Sequence, residues 1–340
     1  MRYFILLTSL LLSNVATAQD WEDRQVFGMS DAAPLRILSS TDISFFVPII
    51  EDFIAQTSNT SVEYLVASTV DLDRVFRTAP EEFDVVISSA MDLQFKLTND
   101  GFAAPVVDIQ HPDWAQWHDR LFAFTSEPAA IVINRKAIGD LPLPNNRQDL
   151  IALMRANPDI FQGRVGTYDV RQSGLGYLFA TQDARASETY WRLMEVMGGM
   201  GAKLYCCSGA MIDDLDKGNL VVAYNVLGSY AQAQAEQSDD LTVILPSEFP
   251  TTMMRTVLVS ARAKSPQHAD GFVRHLLTLQ DVGDPLTFPL PSLVSHQTND
   301  LVPAISLEPA LMAYLDRMKR AAFMREWENA LVQDEQLYVP

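Results

Sequence analysis

The chain has 340 residues, 48% hydrophobic and 20% charged, with 15 glycines and 18 prolines, which is the composition of a folded globular protein and excludes a collagen-like, low-complexity or largely disordered chain. Its formal charge is −18, from 25 basic against 43 acidic side chains, so the surface as a whole repels a nucleic-acid backbone or an acidic membrane face. A small anion held by a few local donors inside a cleft is not excluded by that sign.

The first twenty residues, MRYFILLTSLLLSNVATAQD, carry one cation at Arg2, an apolar run from Phe4 to Leu12 and a small-residue end at Ala16-Thr17-Ala18. The run is less than half of the roughly 20 residues that span a bilayer, so it reads as a secretory signal peptide over residues 1–18, cut after Ala18. No Cys follows the cut, which argues against a lipid anchor, and the expected destination is the periplasm. At this length one core is too few, and about two domains of 100–200 residues each are expected.

After the leader, Pro34 introduces the apolar strand LRIL, then the polar turn Ser39-Ser40-Thr41-Asp42, then a helix in which Phe46, Ile49, Ile50, Phe53 and Ile54 recur at helical spacing. The pattern is repeated. EEFDVVISSA gives a strand at Val85 to Ile87, the turn Ser88-Ser89-Ala90 and a helix from Asp92 to Asn99 stopped by Gly101. RVGTYDV is a strand ending near Asp169, Arg171 to Gly174 a turn, and LGYLFATQDA a helix; NLVVAY is a strand, Tyr224 and Asn225 open a turn, and GSYAQAQAEQ is a helix. Alternation of this kind predicts an α/β fold with mainly parallel sheets.

Two segments read as crossings between halves of the molecule: Phe122 to Ile138 on the way out and Met253 to Ala263 on the way back. They predict two lobes, residues 34–125 with 258–340 and residues 126–257, joined by a hinge, with a ligand cleft at the carboxyl ends of the strands. ADGFVRHLLTLQ and PALMAYLDRMKRAAFMREWENALVQ are predicted helices in the C-terminal part.

Enzyme and metal signatures are sparse. None of the five histidines sits in H-E-x-x-H, the chain has no G-x-S-x-G elbow and no phosphate-binding G-x-x-x-x-G-K-[ST] loop, and Asp213-Asp214-Leu215-Asp216 lacks the spacing of a calcium loop. Gly174-Leu175-Gly176 begins a G-x-G without the rest of a dinucleotide fingerprint, so no cofactor is expected. His111 and His118, beside Trp114 and Trp117, read as packing residues. A secreted hydrolase pairing a Ser with one of them has neither elbow nor clear base. The only cysteines, Cys206 and Cys207, are adjacent: either a strained vicinal disulfide or a pair of free thiols, and not a zinc site.

What remains is the set of polar turns before helices. Helix N-termini present unpaired N–H donors and partial positive charge, so several aimed into one cleft bind a carboxylate or phosphate. The candidate ligand-binding residues are Ser39, Ser40, Thr41, Asp42, Ser88, Ser89, Ala90, Asp169, Arg171, Ser173, Gly174, Tyr224, Asn225 and Arg255, with Arg171 and then Arg255 as the expected cations. Each turn alone is equally an ordinary N-cap.

The stretches FDVVISSAMDLQFKLTNDGFA, VGTYDVRQSGLGYLFATQD, VVAYNVLGSYA and LMAYLDRMKRAAFMREWENAL resemble the periplasmic solute-binding proteins of ABC importers, in the ferric and phosphosugar branch, and within it the phosphoglycerate transport regulatory subgroup. The resemblance runs from about Leu35 to the C-terminus. It implies a two-lobed hinged, monomeric receptor without catalysis or metal, closing on a small organic anion, phosphorylated or carboxylated. It further implies a membrane partner, either an ABC permease or a sensor histidine kinase. The alternative cargo is ferric iron. Ferric binders resembling this chain use an adjacent Tyr-Tyr pair where Tyr224 to Tyr230 stands here, and the sequence has no such pair.

Overall fold

The computed structural model describes residues 21–29, 33–293 and 305–333; the leader expected over residues 1–18 and its cleavage site lie outside them. The chain runs β1 Asp23–Phe27, β2 Leu35–Ser39, α1 Ile43–Gln56, β3 Val62–Val66, α2 Thr69–Thr78, β4 Val85–Ser88, α3 Met91–Asn99, β5 Ala103–Ala104, β6 Gln116–Trp117 and β7 Leu121–Ala123. It continues with β8 Glu127–Asn134, α4 Arg135–Ile138, α5 Arg147–Ala156, α6 Pro158–Phe161, β9 Val165–Tyr168, α7 Gly174–Ala186, α8 Thr189–Gly199, β10 Lys203–Tyr205, α9 Ser208–Asp216, β11 Val222–Leu227 and α10 Gly228–Ala235. The last elements are β12 Leu241–Ile244, β13 Thr252–Met253, β14 Thr256–Ser260, α11 Pro266–Val282 and α12 Arg317–Trp327.

Two sheets form, in the orders β1-β3-β2-β4-β14-β7-β6, with β5 on β14, and β10-β9-β11-β8-β12, with β13 on β8. The α/β fold is as expected, but the sheets are mixed and not mainly parallel. Among the described strands only β3–β2, β2–β4, β10–β9 and β9–β11 pair in parallel. These are the strands joined by helical crossovers. The segments that pass between the sheets enter them running the other way, so β14 is antiparallel to β4 and β8 to β11.

Strand residues alternate between two cores, as the period of two requires. Ile37, Tyr64, Val85 and Ile87 face a core closed by Phe46, Ile49 and Phe53 of α1 and Phe272 and Leu276 of α11. Ile131, Ile133, Val222 and Tyr224 face a second core with Leu150, Met154, Leu193 and Met197. The intervening residues Leu38, Leu65, Val86, Val132 and Ala223 belong to a third cluster that joins the inner faces of both sheets.

The outward crossing occupies residues 124–126 between β7 and β8, and the return lies at Met254-Arg255, so Thr256 and Val257 already pair in the first sheet. The C-terminal segment also departs from the expected division. Phe323 and Trp327 of α12, with Leu331 after it, pack in the core of the second sheet, because their apolar spacing matches the groove left by Tyr177, Trp191 and Leu193.

Asp92, in the first turn of α3, is 2% exposed and accepts the Leu93 N–H at 2.9 Å. Burial pushes its carboxyl up to about 7, against the pull of the nearby N–H groups and Arg320. The folded chain therefore holds this proton more tightly than the unfolded one, and the stability it contributes is lost as pH rises from about 4 to about 7. Asp92→Asn should raise stability at pH 8 by on the order of 3 kcal/mol and leave it little changed at pH 4, as read from urea melts. Trp327→Ala should cost about 3–5 kcal/mol in the same assay.

Candidate functional site

Parallel neighbouring strands end at one edge, and each sheet turns that edge toward the other. The turn from β2 to α1 brings Ser40 and Asp42, that from β3 to α2 brings Ala67, Ser68 and Thr69, and that from β4 to α3 brings Ser89. From the second sheet come Tyr168 and Ser173 before α7, Cys206 and Cys207 before α9 with Ser208 at its start, and Leu227 and Tyr230 at the start of α10. With Glu22 and Arg255 they line one cleft of about 610 Å³, its open mouth included. Six helix N-termini thus face a common space.

The cleft is held at its floor by Arg255, fully buried at the return crossing. Its Nε donates to Glu127 Oε1 at 2.6 Å and its Nη2 to Oε2 at 3.2 Å, while Nη1 donates to Thr41 Oγ1. Thr125 Oγ1 accepts the Arg255 N–H and donates to Glu127, both at 2.8 Å, and Ser229 Oγ donates to the other carboxylate oxygen. Burial works against the guanidinium charge; Glu127 and then Tyr230 more than offset it, so the Arg255 pKa ends above its ordinary value.

Further bonds cross the cleft. Gly174 N–H donates to Thr69 Oγ1 at 2.8 Å, and Asp42 N–H to Tyr230 Oη at 3.3 Å. A Cβ on Gly174 would stand 3.0 Å from Leu93 Cδ1 and 3.1 Å from Thr69 Oγ1, and one on Gly176 would stand 2.3 Å from Tyr168 Cβ. The G-x-G therefore serves the close approach of α7 to both β9 and the first lobe. Ser40 Oγ accepts the Ser89 N–H at 3.1 Å, and Ser208 Oγ lies 2.5 Å from Tyr168 Oη and accepts the Leu227 N–H at 3.0 Å. Burial raises the pKa of the Tyr168 and Tyr230 phenols, which stay protonated at neutral pH. It also raises the Asp42 and Glu22 carboxyls, Glu22 with added repulsion from Asp42 and Asp71.

Of the residues expected from sequence, Ser40, Asp42, Ser89, Ser173 and Arg255 line the cleft. Ser39, Thr41, Ser88, Ala90 and Gly174 stand directly behind them: Ser39 Oγ accepts the Thr41 N–H, and Ser88 Oγ the Ala90 N–H. Four lie elsewhere. Arg171 is turned back on Asp169 through Nε and Nη2, both at 2.8 Å, and its guanidinium lies over the Trp327 ring, so neither of that pair lines the cleft. Tyr224 and Asn225 do not open a turn; β11 continues through Asn225, a left-handed bulge with φ 63°, to Leu227. Their side chains join a buried network in which Asp183 accepts from Arg147 Nη2 at 2.9 Å, Tyr224 Oη at 2.6 Å and Asn225 Nδ2 at 2.9 Å.

Sequence reading missed Glu22, Ser68, Thr69, Tyr168, Cys206, Cys207, Ser208 and Tyr230 as lining residues. Ser68 and Ser208 follow the short strands β3 and β10, and each carries the same strand, hydroxyl and helix signal as the turns that were recognised. His111 is a packing residue, its Nε2 2.8 Å from the Ala123 carbonyl oxygen. Arg255→Met, which strands the Glu127 carboxylate, should cost about 3–5 kcal/mol in denaturant unfolding, and Glu127→Gln about as much, because an amide donor replaces one of the two oxygens that accept from the guanidinium and the buried cation loses its counter-charge.

The fold matches that of solved solute-binding proteins. A substrate-binding protein of an ABC transporter from Agrobacterium tumefaciens superposes with a TM-score of 0.85 at 28% identity, over 91% of this chain and 98% of its own. AfuA from Actinobacillus pleuropneumoniae, a periplasmic binding protein with fructose 6-phosphate bound, gives 0.69 at 14% identity over 88% of this chain and 98% of its own. Iron-bound HitA from Pseudomonas aeruginosa gives 0.64 at 13% identity over 88% and 99%. The last two speak to fold alone. No protein-family model and no curated protein matches the chain. The chain is thus similar along nearly its whole length to a substrate-binding protein of an ABC transporter, and its structural neighbours are solute-binding proteins, carriers and not enzymes. Among the described residues no helix is long and apolar enough to cross a membrane.

Proposed function

We propose that this protein is a periplasmic receptor, exported by a signal peptide cut after Ala18, that binds a small hydroxylated organic anion, a phosphate ester or a carboxylate, between its lobes. The observation that carries this reading is the gathering of six helix N-termini, with Ser40, Ser68, Ser89, Ser173 and Ser208, around one cleft. Backbone N–H groups and hydroxyls of that kind hold phosphate or carboxylate oxygens without a free cation. Arg255 is already matched by Glu127, so it fixes the floor and leaves the ligand charge to the helix ends. Asp42 and Glu22 near the mouth accept from ligand hydroxyls, which favours a polyol bearing one anionic group over a bare anion.

Iron is served less well by these groups. Fe(III) calls for phenolate and carboxylate oxygens, whereas the sequence has no adjacent Tyr-Tyr pair and among the described residues no three His, Cys, Asp or Glu gather. The receptor would act as a monomer with an ABC permease; a sensor histidine kinase, in the manner of the phosphoglycerate regulatory subgroup, is the other partner this reading allows.

Calorimetry against sugar phosphates, phosphorylated three-carbon acids, di- and tricarboxylates and ferric citrate tests the proposal. One organic anion should bind at micromolar concentration or tighter. Ser89→Ala and Ser173→Ala should each weaken it by roughly 1.5 kcal/mol, about tenfold, and Arg171→Ala should leave it unchanged. Stoichiometric iron uptake, or a melting temperature that no anion moves, overturns the reading. Capture of a sensor domain by the liganded protein alone would select signalling over delivery.

A further inference from the structure

Cys206 and Cys207 connect β10 to α9, both are accessible to solvent, and both line the cleft. Their sulfurs are 2.7 Å apart, in direct contact. Cys207 is also the residue that caps α9, with extended backbone at φ −151° and ψ 159°. The next residue, Ser208, ties the helix start to Tyr168 at the end of β9 and to Leu227 at the start of α10. A covalent change at the two sulfurs is therefore made in the wall of the cleft, one residue from a hydroxyl that spans three of its elements.

We propose that Cys206 and Cys207 form a reversible vicinal disulfide that re-aims the start of α9 and so gives the cleft a second, oxidised arrangement. Adjacent Cα atoms are about 3.8 Å apart, below the 4.4 Å or more usual for bridged cysteines, so closing this ring strains the chain and the bond is readily reduced. Strained, exposed disulfides have the more oxidising potentials and are the labile ones, which suits a switch and not a staple. The oxidant is a small-molecule disulfide. The thiolate of one cysteine attacks one of its sulfurs, forming a mixed disulfide and releasing the first thiolate. The other cysteine then loses its proton, its sulfur displaces the second thiolate from the first cysteine, and the ring closes. Two cysteines are oxidised, one external disulfide is reduced to two thiols, and the protons leave with them. Burial and then the neighbouring sulfur push the Cys207 thiol up to about 12.

The effect on ligand rests on the receptor reading given above, and the test separates the two. The full chain is treated with oxidised glutathione, then with dithiothreitol. Intact mass should show the loss of two hydrogens, no retained glutathione and no covalent dimer, reversed on reduction. Hydrogen exchange of Ser208 to Ile212 and of Leu227 to Tyr230 should differ between the two forms, as should binding of fructose 6-phosphate, by several-fold. The Cys206→Ser/Cys207→Ser double variant should respond to oxidant in none of these readouts. A persistent glutathione adduct, a covalent dimer, or a closed ring with unchanged exchange overturns the proposal, as does fructose 6-phosphate bound equally by both forms. Organic anions of every class bound by neither form would sink the receptor reading, while mass and exchange would still decide the disulfide.

Discussion

The contact on which the two-lobed arrangement depends is the ion pair of Arg255 and Glu127. Each stands at one of the two chain crossings, and both side chains are fully buried. Removing water from a guanidinium and a carboxylate is costly, and their attraction offsets that cost only when geometry is good and the remaining polar atoms are bonded. Here they are: Thr125, Thr41 and Ser229 satisfy the pair from the outward crossing, the first lobe and the second. A neutral, saturated pair at the hinge fixes where the lobes meet without presenting an uncompensated charge to the cleft.

In the proposed receptor, that neutrality determines how the cleft attracts a ligand. With no free cation at the floor, the positive field comes from helix ends, which is directional and short in range. Asp42 and Glu22 near the mouth work against it as carboxylates, and burial raises the pKa of both. In the proposed receptor this balance selects a ligand with one anionic end and several hydroxyls. The glycines of α7 belong to the same geometry, since a Cβ at Gly174 would crowd Leu93 and Thr69 where its N–H reaches Thr69 across the cleft.

Strand, polar turn and helix recur in the sequence with enough regularity that Ser40, Asp42, Ser89 and Ser173 could be picked out before any coordinates, and they do line the cleft. Arg171 could not be placed in this way. Its neighbour Asp169 is two residues away, close enough to capture the guanidinium, and Trp327, 156 positions on, supplies the ring beneath it. Tyr224 and Asn225 misled because an Asn in left-handed conformation is as usual at a turn as in a bulge, and only the partner strand β8 distinguishes them.

By itself the sequence determined the local grammar: the apolar periodicities that build α1 and α11 and the hydroxyl that caps α7. Those follow from interactions within a few residues, which are legible along a line. Tertiary structure alone decided which turns share a cleft, which arginine is buried at its floor, that the sheets are mixed, and that α12 closes the second core. Each of these depends on a partner tens to hundreds of residues distant, and the free energy of a buried charge or a strand register is set by that partner and not by the residue's own neighbours.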